Sequence, residues 1–167
     1  ILSKVTWKEF SGFKKDQQLA FLINSYNAFQ IKQVIDNYPL ESIRDLGFLI
    51  NTPWHKKFFR LFGTQTNLNH IEHELIRKRF NEARIHFALN CASISCPPLQ
   101  NRAYVADQLD EQLEAAAVNF INDRSINRYV QKRETLILSP IFDWYKEDFG
   151  GSLNQFVLSR MKDVDLK

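Results

Sequence analysis

Apolar side chains recur at helical spacing in two long stretches of the chain. The first covers residues 16–38, where Asp16 is suited to cap the start and Pro39 disfavours helical backbone at Tyr38. The second covers residues 107–122, where one stripe of a helix is apolar throughout. The apolar face of the first helix comprises Leu19, Leu22, Ile23, Tyr26, Ile31, Val34, Ile35 and Tyr38, and that of the second comprises Leu109, Leu113, Ala116, Ala117, Phe120 and Ile121.

Shorter apolar segments predict two hairpins and further helices around these two. Gly63 separates residues 57–62 from residues 64–68, and a similar pair follows at residues 129–131 and 135–138, so each pair predicts an antiparallel hairpin. Together the patterns predict a helix-dominated α+β fold with a small antiparallel sheet, in a single domain. Further helices are expected at residues 42–46, 69–80, 141–149 and 153–161, irregular chain over the rest of 40–56 and a loop at 92–102, while periodicity leaves 85–91 open between strand and helix.

Length and composition narrow the class of protein without indicating a function. The 167 residues are enough for one domain that buries roughly 70% of its unfolded surface, and we expect residues 1–167 to form it. Fourteen Phe predict a core rich in aromatic rings.

The formal charge of +3 is too small to favour a nucleic-acid partner. The longest apolar run, Leu19 to Ile23, is far shorter than the roughly 20 residues of a membrane span. Because the chain begins at Ile1, we expect a fragment or a processed form, which leaves a signal peptide upstream open.

Potentially reactive side chains are concentrated between residues 69 and 97. This stretch holds three of the four histidines and both cysteines, whereas the chain has no phosphate-loop, dinucleotide-binding or nucleophile-elbow motif. Cys91 ends an apolar segment at the start of a loop, where a thiolate nucleophile and spare backbone N–H groups can be presented. A buried structural thiol, or a disulfide with Cys96 five residues away, is the alternative.

A nucleophilic Cys91 needs a nearby base, and two histidines are candidates. His73 lies on the helix expected at 69–80 and can approach Cys91 from a separate element. His86 precedes Cys91 by five residues and needs a bend in between. His70 is three residues from His73 and shares its face on a regular helix. The same histidines and cysteines offer a zinc site, although their spacing matches no zinc signature.

Other polar residues have less chemical meaning in the sequence. Asn24 and Asn27 interrupt the first apolar helix, which predicts a buried hydrogen-bond network or amides that position a neighbouring loop. The acidic pairs Asp110-Glu111 and Glu147-Asp148 occur in amphipathic segments, and we expect them on solvated helix faces.

Five blocks of the sequence resemble one known family, the domain of unknown function 547. They follow the family's order over about residues 15–150. The resemblance implies a single domain and marks His73, His86, Asn90 and Cys91 as family motif residues.

The family occurs in bacteria, often behind export signals, so the resemblance implies an exported, periplasmic or envelope location. Its biochemical activity is not established, and the resemblance therefore implies no reaction. The blocks are Phe21–Ala28, Ile71–His73, Arg84–Cys91, Ser95–Pro98 and Leu138–Phe149.

Two functions fit these residues. In the first, Cys91 is the nucleophile of a cysteine-dependent hydrolase or acyltransferase-like enzyme that needs no cofactor. His73 is then the base, with His86 as the second choice, and Glu72 or Asn90 orients the imidazole. Because no His follows Cys91, a papain-like arrangement would have to be a permuted one.

The substrate of such an enzyme would be an unidentified small molecule or peptide. In the second function, the same residues form a structural His, Cys and Asn network that shapes a non-catalytic groove for a ligand or a protein. The two cysteines are bridged in that case. A zinc site is the third alternative, and the oligomeric state is left open.

Overall fold

The computed structural model describes residues 1–47, 52–93 and 96–162, and helices dominate it. Short 3₁₀ helices and one π-helix connect the longer elements. The α-helices in these ranges are α1 (Trp7–Ser11), α2 (Lys15–Ile35), α3 (Leu109–Ile121), α4 (Ile141–Trp144) and α5 (Leu153–Leu158). The π-helix is His70–Ile76, and the 3₁₀ helices are Leu2–Lys4, Ile43–Leu46, Pro53–His55, Ala83–Phe87, Ala106–Gln108, Gln131–Arg133 and Lys146–Phe149.

Two antiparallel hairpins provide the β structure of the described residues. Strand β1 (Phe59–Leu61) pairs with β2 (Thr64–Thr66) around a turn that contains Phe62 and Gly63, both at positive φ. Gly63 adopts this backbone without a steric penalty, because it has no Cβ.

The second hairpin pairs β3 (Arg128–Val130) with β4 (Thr135–Ile137), so that Tyr129 lies opposite Leu136. Each hairpin is a separate two-stranded sheet.

Helix α2 is the centre of the first of two hydrophobic clusters. It begins at Lys15, so Asp16 lies in its first turn instead of at the N-cap position that the sequence predicted. The main-chain N–H of Lys14 is bound by the side chain of Gln17 at 2.9 Å, and the Asp16 carboxylate complements the positive end of the helix dipole. The cluster around α2 includes Phe10, Leu22, Ile23, Tyr26, Phe59, Leu61, Leu68, Ile71, Ile76 and Ile85.

Helix α3 is the centre of the second cluster, which also contains the C-terminal segments. The 3₁₀ helix Ala83–Phe87 connects the two clusters, because its Ile85 belongs to the first and its Phe87 to the second. The Phe87 ring packs against Phe120 and Phe142 at centroid distances of 5.2 and 5.6 Å. The rest of this cluster comprises Ala116, Ala117, Ile121, Ile141, Phe149, Val157 and Met161.

The structure confirms the helix-dominated α+β fold, both hairpins and the two long helices. The segment at 85–91 resolves as the end of a 3₁₀ helix followed by irregular chain. Of the predicted irregular stretch and the predicted loop, residues 48–51 and 94–95 lie outside the described residues.

The expected apolar face of α2 is only partly buried. Ile31 and Ile35 are 41% and 67% exposed, although Phe29 and Gln33 at the same level of the helix are buried, so the two isoleucines lie on a different face from the one that packs in the core.

Candidate functional site

Glu72 and His73 are positioned by the π-helix His70–Ile76. The Arg77 main-chain N–H donates to the carbonyl of Glu72 at 2.9 Å, which closes a turn of five residues instead of four. Such wide turns are rare and are often found at functional sites. His70 is exposed and lines a cleft beside Trp7, whereas His73 contacts the side chain of Arg77. The expectation that these two histidines share one face is therefore not met, because it assumed the spacing of a regular α-helix.

Six side chains from three parts of the chain meet in what we call the imidazole cluster: Glu72, His73, Arg77, His86, Tyr145 and Asp148. Arg77 holds Asp148 with two hydrogen bonds, Nε to Oδ2 at 2.6 Å and Nη2 to Oδ1 at 2.9 Å. His86 Nε2 lies 2.6 Å from the same Oδ2. Because a carboxylate only accepts, the imidazole must donate here. The two bonds from Arg77 form a bidentate pair, which fixes the orientation of the Asp148 carboxylate relative to the guanidinium.

A third hydrogen bond of Arg77 determines the state of His73. The guanidinium Nη1 lies 2.8 Å from His73 Nδ1. Since an arginine side chain only donates, Nδ1 accepts and the ring proton is on Nε2. His73 is partly exposed, whereas His86 is buried.

Tyr145 lies between the two histidines and the acidic residue on the π-helix. Its ring stacks on His86 at a centroid distance of 3.8 Å and faces His73 at 6.3 Å. The Tyr145 hydroxyl donates to Glu72 at 2.6 Å. Tyr26 on α2 also interacts with the Glu72 carboxylate. The cluster thus ties the C-terminal segment to the π-helix and to α2.

Burial and hydrogen bonding shift the protonation of these groups in opposite directions. Burial lowers the pKa of His86, although the bond to Asp148 acts the other way. Burial alone would raise the pKa of Asp148, but hydrogen bonds from Arg77 and His86 hold that pKa below its usual value. Burial, followed by the charge of Glu72, raises the pKa of Tyr145. At neutral pH the cluster therefore holds a charged carboxylate at Asp148, a neutral His86 and a protonated Tyr145.

Cys91 and Asn90 are not part of the imidazole cluster. Cys91 is joined to Cys96 by a disulfide, and neither cysteine is a free thiol. The Asn90 side chain donates to the Pro97 carbonyl at 2.9 Å and accepts from the Ala92 N–H at 2.9 Å. A thiolate beside an imidazole, as the sequence hypothesis requires, is therefore not formed here. Of the predicted site residues, the structure brings together Glu72, His73 and His86. It places Asn90 and Cys91 elsewhere, in the segment around the Cys91–Cys96 bond, which we call the disulfide loop.

The zinc alternative finds no ligand set in the parts of the chain that are described. No three His, Cys, Asp or Glu side chains there are arranged to hold a metal ion. Both sulfurs are committed to the disulfide, which removes the ligands that zinc would favour most in this stretch.

Side-chain amides on α2 hold two neighbouring loops through their main chain. Asn24 donates to the carbonyl of Tyr104 at 2.8 Å and accepts from its N–H at 2.9 Å. Asn27 donates to the Ala88 carbonyl at 2.8 Å and accepts from the Asn90 N–H at 3.0 Å. We call this reciprocal arrangement an amide bridge. It answers the question that the sequence left open: both amides position loops, and Asn27 does so from a buried site.

A groove runs between the C-terminal half of α2 and the disulfide loop. We call it the α2 groove; its volume is about 160 Å³. Asn27 and Asn90 are polar lining residues, and Ile31 and Leu99 are exposed apolar ones. Gln30 contributes to its lining, although the residue itself is only 2% exposed. Both amide atoms of Gln30 are buried without a hydrogen-bond partner.

Comparison with known proteins identifies the family. The model of the family described as protein of unknown function, DUF547, matches residues 10–121, two thirds of the chain. The protein belongs to this family. No curated protein and no solved structure matches it. None of the helices in the described ranges has the length and hydropathy needed to span a bilayer.

Three members of the imidazole cluster were missed by sequence reasoning. Asp148 was expected on a solvated face, but it is only a quarter exposed because Arg77 and His86 enclose it. Arg77 looked like one of three basic residues at a helix end. Tyr145 had no signal beyond its place in the family-like block that ends at Phe149. Their partners lie 62 to 73 residues away in the chain, a separation that no local pattern reports.

Proposed function

We propose that the protein is a non-catalytic ligand-binding module whose site is the α2 groove. The observation that carries the proposal is the Cys91–Cys96 disulfide, because it removes the free thiol and gives the sulfurs a role in shaping the loop that borders the groove. A disulfide across five residues restricts that loop in the unbound protein, which reduces the ordering cost of binding.

The surroundings of the groove support binding. Asn27 and Asn90 hold the loop against α2 through main-chain hydrogen bonds, so the groove has fixed walls. Ile31, Ile35 and Leu99 leave apolar surface exposed at its rim, at 41%, 67% and 45%. Contiguous exposed apolar surface beside a concavity is typical of binding sites.

We also propose that the protein works outside the cytoplasm. A disulfide persists in oxidising compartments such as the periplasm and is rare where thiols are kept reduced. The cysteine pair therefore supports the exported location that the family resemblance implies.

A Cys91-dependent hydrolase or acyltransferase stays a prediction for the reduced protein. It requires that reduction frees Cys91 and that the loop then brings its sulfur to His73 or His86. Turnover of an amide or thioester after reduction would return this mechanism to first place and overturn the non-catalytic proposal.

The proposal is tested by NMR screening with a library of small amides, esters, alcohols and hydrocarbons. We expect saturable shifts at the main-chain amides of Asn90, Ala92 and Leu99 in the oxidised protein, and no product from amide or thioester substrates in either redox state. The double variant Cys91→Ser/Cys96→Ser should bind the same compounds more weakly.

Reductant should weaken binding to the wild type and leave binding to the double variant unchanged, which makes the double variant the control for nonspecific effects of the reductant. A protein that binds no compound at these residues is not a module of the proposed kind.

A further inference from the structure

Among the buried side-chain amides of the described residues, Gln30 is the one in which both polar atoms lack a hydrogen-bond partner, whereas Gln33 lacks one at Oε1 alone. Besides Asn24 and Asn27 on α2, Gln112 bridges the Ala103 carbonyl and the Val105 N–H at 3.0 and 2.8 Å. A buried amide that fills both of its hydrogen-bonding roles with main-chain groups is thus a recurring device of the fold.

Asn127 repeats the arrangement in the second hydrophobic cluster. It donates to the Phe120 carbonyl at 2.7 Å and accepts from the Ser139 N–H at 2.9 Å. Together with the bridges of α2 and α3, this gives the same solution in four places among the described residues. In each case one carboxamide donates to a main-chain carbonyl and accepts from a main-chain N–H.

Gln30 follows Asn27 by three residues on the same helix and is buried as Asn27 is, but its Nε2 and Oε1 have no partner. Leaving a buried donor and a buried acceptor unmet is unfavourable, and native proteins rarely do so. Gln30 lies at the lining of the α2 groove, so a ligand that enters the groove is in a position to supply both partners.

We propose that the ligand of the α2 groove is an extended peptide segment whose main chain forms an amide bridge with Gln30. This inference rests on the proposed function and names its ligand class. The Gln30 Nε2 would donate to a peptide carbonyl and Oε1 would accept from a peptide N–H, as Asn24 does with Tyr104. One apolar side chain of the peptide would pack between Ile31 and Leu99.

The size and lining of the groove favour a peptide over other ligands. A volume of about 160 Å³ is smaller than the roughly 300–1,000 Å³ of sites that enclose a whole small molecule, and it suits one side chain of a longer ligand. A lipid chain would fill the apolar walls but leave both polar atoms of Gln30 unmet. A peptide offers a main-chain donor and a main-chain acceptor on the same residue, as Tyr104 does to Asn24.

The test uses the blocked peptide N-acetyl-Ala-Leu-Ala-methylamide and its ester analogue, in which oxygen replaces the Leu N–H. We expect the peptide to shift the side-chain NH₂ resonances of Gln30 saturably and the ester analogue to bind about tenfold more weakly or worse. Gln30→Leu should weaken peptide binding by at least the same factor, with the rest of the amide spectrum preserved.

Stability provides an independent readout. Gln30→Leu replaces two unmet polar atoms by an apolar group, so its urea midpoint should rise. Gln112→Leu is the matched control: Gln112 is also buried, but its Nε2 donates to the Ala103 carbonyl at 3.0 Å and its Oε1 accepts from the Val105 N–H at 2.8 Å. Its midpoint should fall, and its peptide affinity should stay at the wild-type value.

Three results would overturn the inference. If Gln30→Leu lowers the urea midpoint and binds the peptide as well as the wild type, the Gln30 amide has hydrogen-bond partners within the protein and does not contact the ligand. If compounds from the screen bind at the groove but the peptide does not, the ligand class is wrong although the proposed function stands. If nothing binds at the groove, both proposals fail together.

Discussion

His86 shows how one residue couples the protonation of the imidazole cluster to the stability of the fold. Its imidazole is enclosed by Tyr145 and Phe149 and donates to Asp148. Burial penalises the charged ring more than the carboxylate favours it, so the pKa of His86 is lowered on folding. The unfolded chain therefore binds more protons than the folded one below the ordinary His value of about 6.5.

The expected result is a loss of stability as the pH falls below about 6.5, where the unfolded His86 becomes protonated first. The lowered pKa of Asp148 adds a second loss at more acidic pH, because that carboxylate stabilises the fold only while it is ionised. His86→Gln keeps a donor for Asp148 but removes the titration. Urea midpoints measured across this range should therefore depend less on pH in the variant.

His70→Gln is the control for this experiment, because His70 is exposed and belongs to a different cleft. Its midpoints should follow those of the wild type at every pH. If the urea midpoint became less dependent on pH to the same extent in both variants, the acid sensitivity would not arise at His86.

At the scale of elements, α2 organises the fold through amides as well as apolar packing. Asn24 satisfies both main-chain groups of Tyr104, which is 3% exposed, across 80 residues of sequence. Asn24→Leu would leave that donor and acceptor buried without partners. We expect a loss of about 2 kcal/mol in the free energy of unfolding and faster hydrogen exchange at the Tyr104 amide.

Asn37→Leu gives the comparison for Asn24→Leu. Asn37 is partly buried near the end of the same helix, but its side chain donates only to the nearby Gln33 carbonyl. We expect a change within about 0.5 kcal/mol, as for substitutions away from a buried network. A similar loss of unfolding free energy in both variants would mean that the bridge to Tyr104 contributes no more to stability than the local hydrogen bond of Asn37.

The same elements show what the sequence could and could not predict. Helix α3 and both hairpins were predictable because each is encoded by local spacing: an apolar stripe, or two apolar runs around a turn. The burial of Ile31 was overestimated, because helical periodicity identifies an apolar face without showing what covers it.

The site was harder to predict than the fold. Glu72, His73 and His86 were found because titratable residues cluster along the chain, but their true partners Tyr145 and Asp148 come from a distant segment. The wide turn of the π-helix, which directs His73 away from His70, has no signal in residue spacing. Gln30 was missed because an amide inside a helix looks the same whether or not it is satisfied.

At the scale of the whole molecule, the family match and the packing have different boundaries. The match ends at residue 121, within α3, whereas the second hydrophobic cluster continues through α4 and α5. Phe87 and Phe120, inside the match, are covered by Phe142 and Phe149, outside it. Asp148 likewise supplies the carboxylate for Arg77 and His86. The matched segment alone would expose these rings and leave a buried imidazole without its partner.

We therefore expect residues 1–122, expressed alone, to lack a cooperative unfolding transition and a near-ultraviolet circular dichroism signal, and to bind the dye ANS. Loss of the rings that cover Phe87 exposes several large apolar side chains. The burial of each is worth about 1.5–3 kcal/mol, so the sum is comparable to the whole stability of a domain of this size. Adding residues 123–162 as a separate chain should restore the near-ultraviolet signal, which controls for damage by truncation itself. Cooperative unfolding of residues 1–122 at the midpoint of the full chain would instead show that the matched segment is a domain by itself, and the interpretation of residues 1–167 as one domain would be wrong.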